Sequence, residues 1–127
     1  MAEKPRRIRW LDEPEAKDFA AARSYLSLLV ADPRLDATIE RLRGATAGRW
    51  RAKDILRASG LPPLRPRDSE EVAEKAARIR AGEPLSPILL IVLAPGAPTQ
   101  IADGYHRTCA AYRAHQDTQV PGRILFV

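Results

Sequence analysis

Apolar positions recur at helical spacing from Pro14 to Val30, with Phe19, Ala22, Leu26, Leu29 and Val30 on one face and Pro14 suited to a first turn. The break at Ala31-Asp32-Pro33 opens a second helix, which carries Leu35, Ile39 and Leu42 on one face and stops at Gly44. Two short helices in succession predict an antiparallel hairpin. Ala45-Thr46-Ala47-Gly48 reads as a connector. Trp50 to Ile55 is either a short strand or the start of a helix through Ser59, with strand the preferred reading. Pro62, Pro63 and Pro66 remove amide donors and push their predecessors into extended conformations, so Gly60–Arg67 is a loop with rigid segments. Asp68 is expected to cap the next helix with Glu71 completing a capping box; Val72, Ala76 and Ile79 form its buried stripe and Gly82 ends it.

Ile88 to Leu93 is continuous apolar sequence between Pro87 and Pro95-Gly96, the signature of a strand buried on both faces. A turn at Ala94–Pro98 leads to a second short strand, Thr99–Ala102, which stops at Asp103-Gly104. A helix from Tyr105 to His115 follows, with Tyr105, Cys109 and Tyr112 on one stripe and small alanines permitting close packing; Val120–Val127 closes the sheet. The predicted class is α+β, a small mixed sheet with flanking helices behind an N-terminal helical hairpin. The chain divides into a helical extension, 1–48, and a mixed domain, 49–127.

At 127 residues, 45% apolar and 29% charged, the chain is a folded one with a single main core. Its formal charge of +5 belongs to residues 1–60, which hold 13 basic and 9 acidic side chains, against 8 and 7 in residues 61–127. Charge alone therefore does not mark the C-terminal half as a nucleic-acid module. A single cysteine, Cys109, excludes an internal disulfide, and two histidines, His106 and His115, are too few for a zinc site, so no metal ligands are assigned. The start, Met1 to Arg7, is basic and lacks the apolar stretch of a secretory signal, and no run is long enough to span a bilayer. A cytoplasmic protein without membrane contact is the expectation. Walker A, GxGxxG and GxSxG motifs and internal repeats are absent.

The candidate chemistry is Asp103-Gly104-Tyr105-His106-Arg107, at a joint between strand and helix. The first amides of a helix lack intrahelical partners, and its dipole favours negative charge there. Gly104 lets backbone approach a ligand, Arg107 offers a planar fork for phosphate or carboxylate oxygens, and His106 adds a ring donor. On residue chemistry alone, a plain structural turn is the alternative: Asp103 as cap, Gly104 as turn, His106 and Arg107 solvated. A basic stretch around Trp50 (Arg41, Arg43, Arg49, Arg51, Lys53 and Arg57) reads as a solvated helical face with Trp50 packed on the core, in preference to a nucleic-acid surface with an aromatic stacker.

The ordered blocks Leu85-Ser86-Pro87-Ile88-Leu89-Leu90, Ile101–Arg107, Ala110-Ala111-Tyr112 and Val120-Pro121 together resemble the ParB/sulfiredoxin-like superfamily, over about residues 61–127. The resemblance implies a strand–turn–helix that holds nucleotide phosphates through Asp103, Gly104, Tyr105, His106 and Arg107. It also implies an arginine-bearing loop, with Arg65 or Arg67 reaching the same anion. The ligand it implies is a nucleotide, ATP or CTP with Mg²⁺, or another phosphorylated small molecule. Where sulfiredoxins place their nucleophilic cysteine this chain has Tyr105, which argues against sulfinic acid reduction, and Cys109 suits packing. ParB proteins carry a helix-turn-helix domain beyond the nucleotide domain, and this sequence ends at Val127 after its last strand. Free-serine kinases of the superfamily use a glutamate base; among Glu70, Glu71, Glu74 and Glu83 none is assignable from sequence. Phosphoryl transfer or nucleotide hydrolysis is the reaction class if there is turnover. A non-enzymatic nucleic-acid-binding or regulatory module is the alternative, and the two N-terminal helices suit either a homodimer contact or a lid.

Overall fold

A computed structural model describes residues 7–127. The expectation that the first residues are basic and carry no secretory signal falls, for residues 1–6, outside the described residues. In chain order the elements are α1 (Ala16–Leu26), α2 (Arg34–Arg43), β1 (Thr46–Arg51), α3 (Ala52–Ser59), a 3₁₀ turn (Pro66–Asp68), α4 (Glu70–Arg80), β2 (Ile88–Val92), β3 (Gln100–Asp103), α5 (Tyr105–Ala114) and β4 (Gln119–Phe126). The class is α+β, with a four-stranded mixed sheet in the order β1-β4-β2-β3. β2 runs parallel to β4, and the pairs β1/β4 and β2/β3 are antiparallel.

The apolar run of β2 is buried along its whole length because helices cover both faces of the sheet. Ile88 and Leu90 face one core with Ile55, Leu56, Val72, Cys109, Ala110 and Ala111. Leu89 and Ile91 face a second core with Phe19, Leu26, Leu35, Ile39 and Leu42. The alternation of side chains along a strand thus assigns α3, α4 and α5 to one face and α1 and α2 to the other. The N-terminal helices are one layer of this sandwich. They pack antiparallel, with the Arg43 guanidinium 4.6 Å over the Phe19 ring and Arg23 paired to Asp36 at 2.9 Å.

Several boundaries differ from those the sequence suggests. α1 starts at Ala16, where the Glu15 amide donates to Asp18 at 2.8 Å in a capping box, and it ends at Leu26, leaving Leu29 exposed. The segment read as a connector is the first half of β1, so the division at 48/49 runs through that strand; Ile55 belongs to α3. Ser69, not Asp68, caps α4, its hydroxyl accepting from the Val72 amide at 3.2 Å, because Pro66 starts a 3₁₀ turn that takes in Asp68. Asp103 is the last residue of β3. Among the described residues no helix is long and apolar enough to cross a membrane.

Candidate functional site

β3 delivers Asp103, Gly104 turns the chain, and α5 begins at Tyr105. Gly104 sits at φ +108°, a conformation L residues rarely adopt, and a Cβ there would lie 2.4 Å from Ile88 Cγ2. Glycine is therefore required twice, by the turn and by the close approach to β2. Having no side chain, Gly104 supplies no cap, and the first turn of α5 contains no acidic residue. The Thr108 amide makes the first intrahelical bond, to the Gly104 carbonyl at 3.0 Å. The amides of Tyr105, His106 and Arg107 are the orphan donors of the helix.

Arg107 does not face outward with those amides. It is buried, with Nη2 donating to Asp103 at 3.0 Å and to the Pro87 carbonyl at 3.4 Å, and Nη1 lying 3.5 Å from Asp18 of α1. Its Nε is buried without a partner. The fork expected to meet a phosphate is thus held between two carboxylates, Asp103 at the end of β3 and Asp18 in α1. Asp103, read from sequence as a phosphate contact or a cap, pairs with this guanidinium.

Asp18 is the partner of the turn that sequence reasoning missed. It is 3% exposed, at the position of the helical stripe that continues through Ala22 and Leu26, and its role in the capping box disguises it. Burial works against its ionisation, but the Glu15 amide, the Ser86 hydroxyl and Arg107 outweigh burial and hold its pKa below the usual carboxylate value. Asp103 moves the other way. Burial, helped by Asp18 next to it, outweighs Arg107 and pushes it up to about 6 from 3.8.

The sign of the resulting pH dependence follows. Between about 4 and 6 the folded chain keeps on Asp103 a proton that the unfolded chain has released, so the stability contributed by Asp103 falls as pH rises through that window. Asp18 contributes in the opposite sense, and only below its ordinary pKa of 3.8. Urea midpoints measured across this range are expected to decline for the wild type relative to Asp103→Asn. Parallel curves for the two proteins would contradict the assignment.

The remaining predicted residues divide. His106 is half-buried in the first turn, its ring 5.4 Å from that of Tyr105, and α4 brings the Glu71 carboxylate into electrostatic range of it. The Tyr105 hydroxyl donates to the Pro62 carbonyl at 2.6 Å, and burial, then Cys109, pushes its pKa up to about 12. Tyr105 thereby ties the proline loop to α5, as does Arg113, which donates to the carbonyls of Pro63 and Leu64. Arg65 pairs with Asp68 at 3.2 Å, and Arg67 is exposed; neither makes a hydrogen bond or ion pair with residues 103–107. Of the other carboxylates weighed as a base, Glu74 pairs with Lys75 and Arg78, and Glu83 with Arg78. Cys109 is fully buried and burial raises its thiol pKa, which suits packing. In the basic stretch, Lys53 pairs with Asp117, Arg43 with Glu40, and Trp50 packs against the core.

No family model, curated protein or solved structure matches the chain.

Proposed function

We propose that the chain binds a phosphorylated small ligand at the N-terminus of α5, in a domain of ParB/sulfiredoxin-like type, with a nucleotide such as ATP or CTP as the class to test first. The observation that carries this reading is the first turn of α5: its amides at Tyr105, His106 and Arg107 have no side-chain acceptor, and the turn contains no acidic residue. Such an end attracts an anion through both its donors and its dipole. The helix α4 before β2 and the strand–turn–helix of β3 and α5 support the fold type, since the resemblance implies both.

In this reading the amides and the His106 ring contact phosphate. Arg107 is a positioning residue, which fixes the turn by holding Asp103 against Asp18 and the Pro87 carbonyl. Helix α1 is then part of the site's support. Any phosphoryl transfer would rest on positioned charge, with the Glu71 carboxylate in electrostatic range of His106.

Isothermal calorimetry with ATP, CTP and GTP, each with and without Mg²⁺, tests the proposal on wild type and His106→Ala. One nucleotide is expected to give saturable heat that weakens roughly tenfold in the variant, the loss of one charge-assisted or neutral hydrogen bond to phosphate. Negligible heat from all three with the folded wild type would remove the proposal.

A further inference from the structure

A second concave site lies on the sheet face that carries α1 and α2. β1 and β4 pair with Ala47 opposite Arg123, Gly48 opposite Gly122 and Arg49 opposite Pro121. Arg49 and Arg123 therefore leave the same face as diagonal neighbours, a separation that long side chains bridge. With Asp12, Pro14 and Pro87 across from them they line a cleft of about 440 Å³.

The donors in this cleft are unevenly satisfied. Arg123 Nη1 is fixed by the carbonyls of Arg43 and Ala45, at 3.1 and 3.4 Å, so the guanidinium is held by the end of α2. Its Nε is buried and has no partner. Arg49 is exposed and makes no hydrogen bond or ion pair among the described residues. Asp12 is the single carboxylate of the lining, against two guanidiniums, and the three prolines bring no amide donors to it. Two guanidiniums against one carboxylate give the lining a net positive charge, the complement of a small anion with several acceptor oxygens.

We infer that this cleft binds a small oxyanion, a phosphate or carboxylate group, between Arg49 and the fixed guanidinium of Arg123. None of residues 103–107 lines this cleft; Pro87 lies at both, its carbonyl accepting from Arg107, and the inference rests on Arg49 and Arg123 and not on the function proposed at the turn.

The test is two-dimensional NMR of the full chain titrated with inorganic phosphate and, separately, with acetate, at ionic strength held constant with sodium chloride. Saturable shifts are expected at Gly48, Gly122 and the Arg123 Nε–H signal. Arg49→Gln should weaken the response about tenfold, the loss of one charge-assisted contact, while leaving the melting temperature unchanged, since the side chain is exposed and unpaired. Saturation by phosphate alone or by acetate alone identifies which oxyanion the cleft takes. Shifts confined to Gly104–Arg107 would overturn the inference while supporting the α5 reading. Linear shifts without saturation, or a response undiminished in Arg49→Gln, would also overturn it, as would saturation by single-stranded DNA where phosphate and acetate give none.

Discussion

Replacing Arg107 by methionine is expected to cost about 3–5 kcal/mol of folding stability near neutral pH, the range found when one partner of a buried ion pair is removed. Methionine keeps a long unbranched stem and removes the charge. What remains is Asp18 facing Asp103 in a nearly dry site, with the Glu15 amide and the Ser86 hydroxyl as the donors left to Asp18. Two carboxylates in that position resist joint ionisation, so the pair binds a proton more tightly than it does beside Arg107. This gives the variant a signature that a packing defect lacks. Its deficit relative to wild type should shrink as pH falls toward about 6, because the variant's pair already holds the relieving proton there, whereas wild-type Asp103 takes it up only at about 6. Asp18→Asn should cost less, since it leaves a balanced Asp103–Arg107 pair at 3.0 Å. Urea denaturation at several pH values reads all of this; a loss under about 1 kcal/mol for Arg107→Met near neutral pH, or a deficit constant with pH, would contradict the ion network.

The parts of the fold that local pattern dictates are those that could be read from sequence. β2 is continuous apolar sequence because it lies between β4 and β3 with a helical layer on both faces, and all five of its residues are buried. α2 and α4 show their stripes plainly, and α5 shows its small inner face. β1 is different. Its residues Thr46-Ala47-Gly48-Arg49 have no alternation of their own, and they become a strand by pairing with β4 from the far end of the chain. The cap of α4 shifts by one residue for a local reason, since Pro66 tightens the chain into a 3₁₀ turn before Ser69.

The candidate site divides along the same line. Gly104 and the first turn of α5 are local features, legible as a strand stop followed by a helix, although Asp103, the cap the sequence offers, gives way to Gly104 at that position in the structure. The orientation of Arg107 is not local. A guanidinium near the end of the chain follows its carboxylates, and one of these, Asp18, comes from a helix near the other end. No spacing rule joins the two. Residue chemistry suggested that this arginine meets a ligand's phosphate; in the structure its guanidinium lies against two carboxylates of the chain itself. The N-terminal helices acquire a role by the same contact, because α1 both covers Leu89 and Ile91 and supplies Asp18.

Gly104→Ala is expected to lose about 3 kcal/mol, from two separable sources. An L residue forced into a left-handed conformation costs about 1–2 kcal/mol, and forcing a methyl into a packed site costs about 1–3 kcal/mol. Both apply at Gly104, whose φ is +108° and whose added Cβ would lie 2.4 Å from Ile88 Cγ2 and 2.9 Å from Arg107 Nη2. Neither neighbour has room to retreat. Ile88 is fully buried with its carbonyl and side chain pressed against Gly122, and Arg107 Nη2 is the atom bonded to Asp103. Gly60→Ala separates the two sources, because Gly60 has φ +71° and open space where its Cβ would be, so it should show the conformational cost alone, about 1 kcal/mol. The two variants are compared by urea denaturation under one set of conditions. Equal losses would mean that Ile88 and Arg107 yield to the methyl. A larger loss at Gly104, together with a changed pH dependence in the window where Asp103 titrates, would show that the turn and the ion network are one device: Gly104 sets the distance at which Arg107 meets Asp103.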